Sequence, residues 1–151
     1  MALNGQEAVN KVARIAENKT VIIPHGISSK FFAKPRPQFP IEDYNLYRPF
    51  RILYVSVIEM YKHQWNVAEA VIELRKQEIP VTLDLIGSAY PPALKKLQAK
   101  LAQVEPYNKS INYLKSVPHV EMHSKYAQSD LCIFASSCEN MPNILLEGMA
   151  S

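Results

Sequence analysis

The chain has 151 residues, enough for one domain with a real hydrophobic core and not comfortably for two. Hydrophobic residues make up 48% and charged residues 21%; a net charge of +3 suits an anionic ligand but lacks the basic stripe of a nucleic-acid binder. No apolar run approaches the roughly 18 residues of a membrane span, the polar N-terminus carries no signal-peptide core, and two cysteines, Cys132 and Cys138, imply no disulfide framework.

A cytoplasmic location is therefore the default expectation, and the sequons at Asn18 and Asn108 read as incidental. Val9, Val12, Ala13 and Ala16 recur at helical spacing and predict a first helix over roughly residues 4–17. Val21-Ile22-Ile23 reads as a short strand stopped by Pro24 and turned by Gly26. Residues 33–49 hold Pro35, Pro37, Pro40 and Pro49, which makes them a long loop packed through Phe39, Tyr44 and Tyr47.

From Arg51 the pattern becomes rhythmic. Ile52 to Ile58 is a nearly continuous apolar run, the mark of a strand buried on both faces. Val67, Ala70, Val71 and Leu74 mark a helix, Val81 to Ile86 a second strand ending at Gly87, and Leu94, Leu97, Leu101 and Val104 a further helix. Another helix is expected from Tyr107 to Lys115, a short strand at Val120–Met122, and a turn or brief helix around Lys125–Gln128. Leu131 to Phe134 reads as a buried strand, after which Pro142 opens the last helix.

Alternation of strand and helix implies parallel strands joined by right-handed crossovers, an α/β layered domain with a parallel β-sheet. Ligands of such sheets bind beyond the carboxyl ends of the strands, so loops 56–63, 87–92, 122–125 and 135–142 are the ones to inspect. In the last of these, free amides of Asn143, Ile144 and Leu145 would point out of the helix start, beside the positive end of its dipole. That is a natural site for a phosphate. Asn140 or Met141 would stand near the N-cap. Glu139 lies just outside the start and Glu147 roughly 7–8 Å along the axis from Pro142, at ~1.5 Å per residue. Carboxylates accept from sugar hydroxyls, so a nucleotide sugar fits the pattern, with ribose at one carboxylate and the transferred sugar at the other. The plainer alternative stays open: Glu139 is a charge favoured by the helix dipole, and Glu147 a solvated helix residue.

The segment "SDLCIFASSCENMPNILLEGMAS" resembles the Glu-x7-Glu region of glycosyltransferase family 4, group 1, the retaining enzymes with two Rossmann-like domains known as the GT-B fold. "VIIPHGISSKFF", "ILYVSVIEMYKHQWNVAEAVIEL" and "VTLDLIGSAY" resemble three further blocks of that family in the same order. The resemblance implies that residues 1–151 form a single nucleotide-sugar-binding domain, the C-terminal half of the enzyme. The N-terminal acceptor domain and the extreme C-terminus would then lie outside this chain.

The resemblance also implies roles. Glu139 would meet hydroxyls of the donor sugar near the reacting carbon, and Lys62 would neutralise the departing diphosphate. Glu147 would hold the ribose hydroxyls. Asn140, Met141, Pro142, Asn143, Ile144 and Leu145 would line the diphosphate and sugar, Gly87 would admit the nucleotide, and the loop holding His123 would carry the base. The expected donor is a UDP-, GDP- or ADP-sugar, with no cofactor and no metal. The acceptor, a glycan, lipid or small molecule, would arrive through the other domain, and the full enzyme could rest on the inner face of a membrane. The chain alone would bind nucleotide weakly and transfer nothing.

Departures from the family pattern are local. Its Gly-Arg pair is Ser56-Val57 here, its Pro-Asn-Gly turn carries His25, and the second glycine after Gly87 is Ala89. The stretch from Met122 to Asp130 is short for the helix the family places there. His25, His63, His119 and His123 are too dispersed for a metal cluster. Cys138 has no adjacent histidine to activate it, and Trp65 reads as a packing residue. A nucleotide-sugar epimerase or a glycogen-type synthase shares the architecture, and a non-enzymatic α/β interaction module is the rival of a different class.

Overall fold

The computed structural model of the chain describes residues 2–34, 36–104, 107–139 and 141–151, so that Pro35 and Asn140 lie outside the described residues. Its centre is a parallel sheet in the order β3-β2-β1-β4. Strand β1 (Phe50–Val55) pairs along its whole length with β2 (Val81–Ile86), Phe50 opposite Val81 and Val55 opposite Ile86. On its other side β1 pairs with β4 (Leu131–Cys132), while β3 (Ile111–Tyr113) pairs with β2. Because β1 leads to β2 and β3 on one side and β4 lies on the other, the strand order reverses between β1 and β4. A crevice opens at such a reversal at the carboxyl ends of the strands.

The two faces of the sheet carry separate cores. Ile52, Tyr54, Leu83, Leu85 and Ile111 face α2 (Gln64–Lys76) and α3 (Pro91–Ala102), which add Val67, Val71, Ile72, Ala93 and Leu97. Leu53 and Ile86 point the other way, onto Met122 and Tyr126 of α4 (His119–Ala127) and onto Phe31. The expected layered α/β architecture is therefore present, and the runs at 52–58, 64–76, 81–86 and 91–102 fold as their patterns predict. Pro91 and Pro92 open α3 without a side-chain cap, as the first helical turn allows.

Several expectations change. Helix α1 (Ala2–Ala13) stops before Ala16, closed by Arg14 at φ 52°, and Val9 and Val12 stand exposed rather than buried. Residues 21–23 form no strand, with Val21 and Ile23 in solvent. Loop 33–49 does pack through Phe39 and Tyr44, whose rings lie 6.0 Å apart, but Tyr47 is fully exposed. The buried Asp130 carboxylate anchors this loop: Oδ1 accepts from Arg36 and, at 2.9 Å, from the Tyr44 hydroxyl, and Oδ2 accepts from the Arg51 amide at 2.8 Å. Tyr107–Lys115 is not a helix; a short 3-10 turn at Tyr107–Ser110 runs into β3. The strand expected at Val120–Met122 belongs to α4, because Met122 and Tyr126, four apart, form its buried face while Val120 points to water. Finally, β4 is a short exposed edge strand rather than a buried one, with no further strand paired on its outer edge among the described residues.

Gly87 shows how tightly β1 and β2 are joined at the crevice. Its φ is 150°, and a Cβ there would lie 2.1 Å from the Ser56 carbonyl oxygen. Gly87→Ala is expected to lose about 3–5 kcal/mol, lowering the melting temperature by roughly 10 °C. Gly26→Ala, where a Cβ meets nothing within 4 Å, is expected to melt within a degree or two of the parent. Equal melting temperatures for the two variants would contradict this account.

Candidate active site

The loop after β1 and the loop after β4 meet at the reversal of strand order. The first folds into a 3-10 turn, Met60–Lys62, capped by Glu59, whose Oε1 accepts from the Met60 amide at 2.7 Å. His63 then adopts a left-handed conformation, φ 55°, and α2 begins at once. Two buried polar side chains hold this turn. The Tyr54 hydroxyl donates to the Lys62 carbonyl at 2.6 Å, and Gln64 Nε2 donates to the Val57 carbonyl at 2.7 Å. The second loop is tied to the first by the Ser137 amide, which donates to the Tyr61 carbonyl at 2.9 Å.

This arrangement brings Lys62 Nζ onto Glu139 Oε1 as an ion pair across 77 positions of sequence. The Lys62 side chain is 6% exposed and that of Glu139 22%. The ammonium also lies 5.1 Å from the Tyr61 ring centre and 5.6 Å from that of Phe134, within range of a cation–π attraction. Burial lowers the Lys62 pKa from the ordinary lysine value, and the neighbouring Cys138 opposes this. Glu139 alongside favours the charged form, which keeps the cation useful in a site largely closed to water.

The last helix, α5 (Asn143–Ala150), starts immediately after this pair. Pro142 is its N-cap residue, with no side-chain cap bond. The Leu145 amide already donates to the Pro142 carbonyl at 3.1 Å, so that amide is used by the helix and not by a ligand as expected. His25 reaches across to this helix start, with Nδ1 2.6 Å from Asn143 Oδ1. Met141 and Leu145 are exposed at its mouth, and Ile144 is partly buried.

Glu147 is the one buried residue of α5, far from a solvated helix position. Its Oε1 lies 2.9 Å from Nε2 of His119, the first residue of α4. Tyr126 lies against the same carboxylate and donates its hydroxyl to the Ile144 carbonyl at 3.1 Å. Burial first, and then the Glu147 charge, push the Tyr126 pKa upward. Phe31 packs beside both rings, 5.6 Å from His119 and 5.7 Å from Tyr126.

The ends of β1 and β4 thus bring Lys62 and Glu139 together, and from that pair the chain runs through Met141 and Pro142 into α5, which carries Asn143 and Glu147. Gly87 borders the crevice from β2, but the absence of a side chain there is already required by Ser56. His123 does not join as expected: it sits in the second turn of α4, not in a loop after a strand. The loop at the carboxyl end of β3 is 114–118, where the Lys115 carbonyl accepts from the Gly87 amide at 2.9 Å. With the strand at 111–113 and the helix at 119–127, the stretch before Asp130 is not short after all. Among the described residues no group of three or more His, Cys, Asp or Glu side chains is placed to hold a metal, and no helix is long and apolar enough to cross a membrane.

The sequence model of the family described as "Glycosyl transferases group 1" matches residues 49–151, the region containing every strand and this crevice. The chain belongs to that family. A comparison with curated proteins gave no match. Among solved structures, this group 1 chain resembles the C-terminal domain of LpcC, a glycosyl transferase group 1 protein from Francisella tularensis, with a TM-score of 0.61 and 24% identity. That match covers 83% of this chain and 67% of the other. It resembles HepE of Anabaena, solved in complex with UDP and glucose, with a TM-score of 0.58 and 20% identity over 68% of this chain and 27% of HepE. The lipopolysaccharide outer core galactosyltransferase WaaB, in its apo form, matches 96% of this chain and 38% of its own length at 19% identity and a TM-score of 0.63. At these identities the likeness establishes the fold, a GT-B Rossmann-like domain. The chain spans about a quarter of the length of HepE.

The ion pair gives an asymmetric prediction. Removing the Glu139 carboxylate strands a buried ammonium, whereas removing the ammonium leaves a carboxylate that water can reach. Glu139→Ala is expected to cost about 2–4 kcal/mol and Lys62→Met about 1 kcal/mol, read by urea unfolding. The reverse order would contradict the placement of Lys62 as the more buried partner.

Proposed function

We propose that this chain supplies the nucleotide-sugar site of a retaining glycosyltransferase that moves a hexosyl group to a hydroxyl acceptor. One observation carries the reading: the buried Lys62 ammonium pairs with the partly exposed Glu139 just before the start of α5, and that helix carries a buried glutamate, Glu147. A buried cation at a helix N-terminus suits a diphosphate, and a carboxylate on either side suits hydroxylated groups that only need acceptors.

In this reading Lys62 and the first amides of α5 hold the diphosphate, Glu139 meets the donor sugar and Glu147 meets the ribose. The loop 114–118, rather than that of His123, borders the base. The bond from the anomeric carbon to the phosphate oxygen breaks and its electrons stay on the phosphate, where Lys62 offsets the growing charge. The acceptor oxygen bonds to the anomeric carbon on the same face, and its proton passes to the departing phosphate. The acceptor and its orientation come from a second domain, so the chain alone binds donor and transfers no sugar.

UDP is the first ligand to test, because HepE, similar in fold, was solved with UDP and glucose. Calorimetric titration is expected to show binding of UDP, with GDP and ADP as comparisons of base preference. Lys62→Ala and Glu147→Ala should each weaken it about tenfold or more, the worth of one charge-assisted contact. No binding of any nucleoside diphosphate would favour a non-enzymatic module, and sugar transfer by this chain alone would overturn the need for a second domain.

A further inference from the structure

A carboxylate that is 8% exposed needs a partner, because an isolated buried charge is costly. For Glu147 one partner is His119, whose Nε2 lies on Oε1, and the Tyr126 hydroxyl lies against the same carboxylate. A carboxylate can only accept, so this contact is a hydrogen bond in the tautomer of His119 that has its proton on Nε2. The imidazole is itself 67% exposed, and its ring centre lies 5.6 Å from that of Phe31 with the planes tilted by 50°. It stands at the first position of α4, immediately after the 114–118 loop that follows β3. The placement is costly in no obvious structural sense: an exposed ring contributes little core packing, yet three separate segments converge to set its orientation. Phe31 comes from the N-terminal third of the chain, His119 from α4 and Glu147 from α5.

We infer that His119 is a positioning residue for the ribose contact made by Glu147. By engaging Oε1 it fixes the rotation of the carboxylate and directs its remaining acceptor capacity to a ribose hydroxyl. A freely turning carboxylate would offer either oxygen in many orientations and would have to be ordered at the moment of binding. The inference rests on the donor-site reading above, and adds a residue to it that the positions of the two glutamates do not reveal. Its consequence is selectivity for ribose over deoxyribose that depends on a donor at position 119, not on an aromatic ring there.

Two variants separate the alternatives. His119→Phe keeps a ring against Phe31 but has no donor, and His119→Gln keeps a donor without the ring. Calorimetry with UDP, 2′-deoxy-UDP and inorganic pyrophosphate, alongside thermal melting of each protein, gives the readout. The parent is expected to prefer UDP over 2′-deoxy-UDP about tenfold. His119→Phe should lose most of that preference, His119→Gln should retain it, and pyrophosphate affinity should be the same in all three. A preference that survives in His119→Phe overturns the inference, as does its equal loss in both variants, the pattern of a packing role. A parent that binds UDP without preferring it to 2′-deoxy-UDP also overturns the inference while leaving the donor site standing. A parent that binds no UDP overturns both.

Discussion

The position of β1 between β2 and β4 is the constraint on which the rest of the structure depends. Ile52 and Leu53 pair on both sides at once, with Leu83 and Asp84 in β2 and with Leu131 and Cys132 in β4. That double pairing aligns the carboxyl ends of the central strands, and it forces the loops after β1 and β4 to leave the sheet side by side. Once they do, Lys62 and Glu139 meet despite their distance in sequence, and α5 must start beside them. Gly87 belongs to the same constraint from the β2 side, because a side chain there would run into the Ser56 carbonyl. The site is therefore a consequence of strand order before it is a consequence of any side chain.

Charge placement follows from this geometry. Two acidic residues near α5 are each matched by a group that can carry positive charge, Lys62 for Glu139 and His119 for Glu147. Neither pair is a surface ion pair of the kind that contributes little; in each, at least one partner is almost closed to water. Such pairs are poor devices for stability when compared with apolar packing. Their presence together near the carboxyl ends of β1 and β4 is what the proposed donor site draws on.

Much of this was legible in the sequence, and for identifiable reasons. Strands β1 and β2 and helices α2 and α3 carry long periodic patterns with breakers at both ends, and they fold accordingly. The helix start at Pro142, between Glu139 and Glu147, was legible because it is a local feature. What failed was short or long-range. β3 has three residues, too few for alternation to outweigh the helical spacing of Ile111 and Leu114. Val120 and Met122 alternate as a strand would, but the pair that decides is Met122 with Tyr126. That misreading also put His123 in a loop it does not occupy. His119, Gln64 and Tyr54 act through partners far along the chain or through main-chain carbonyls, and no spacing announces them. The apolar runs at 9–16, 21–23 and 131–134 promised burial, but burial depends on what lies opposite, which composition does not encode.

The central claim is that a nucleoside diphosphate occupies the crevice between β1 and β4 at the start of α5. Amide chemical-shift mapping of the isotopically labelled chain during titration with UDP tests it most directly. The account predicts that the largest shifts fall on the Lys62 turn, on Gly87 and on residues 141–147, with smaller ones along 114–119. Shifts centred instead on the groove between α2 and α3, around Trp65 and Lys96, would contradict it.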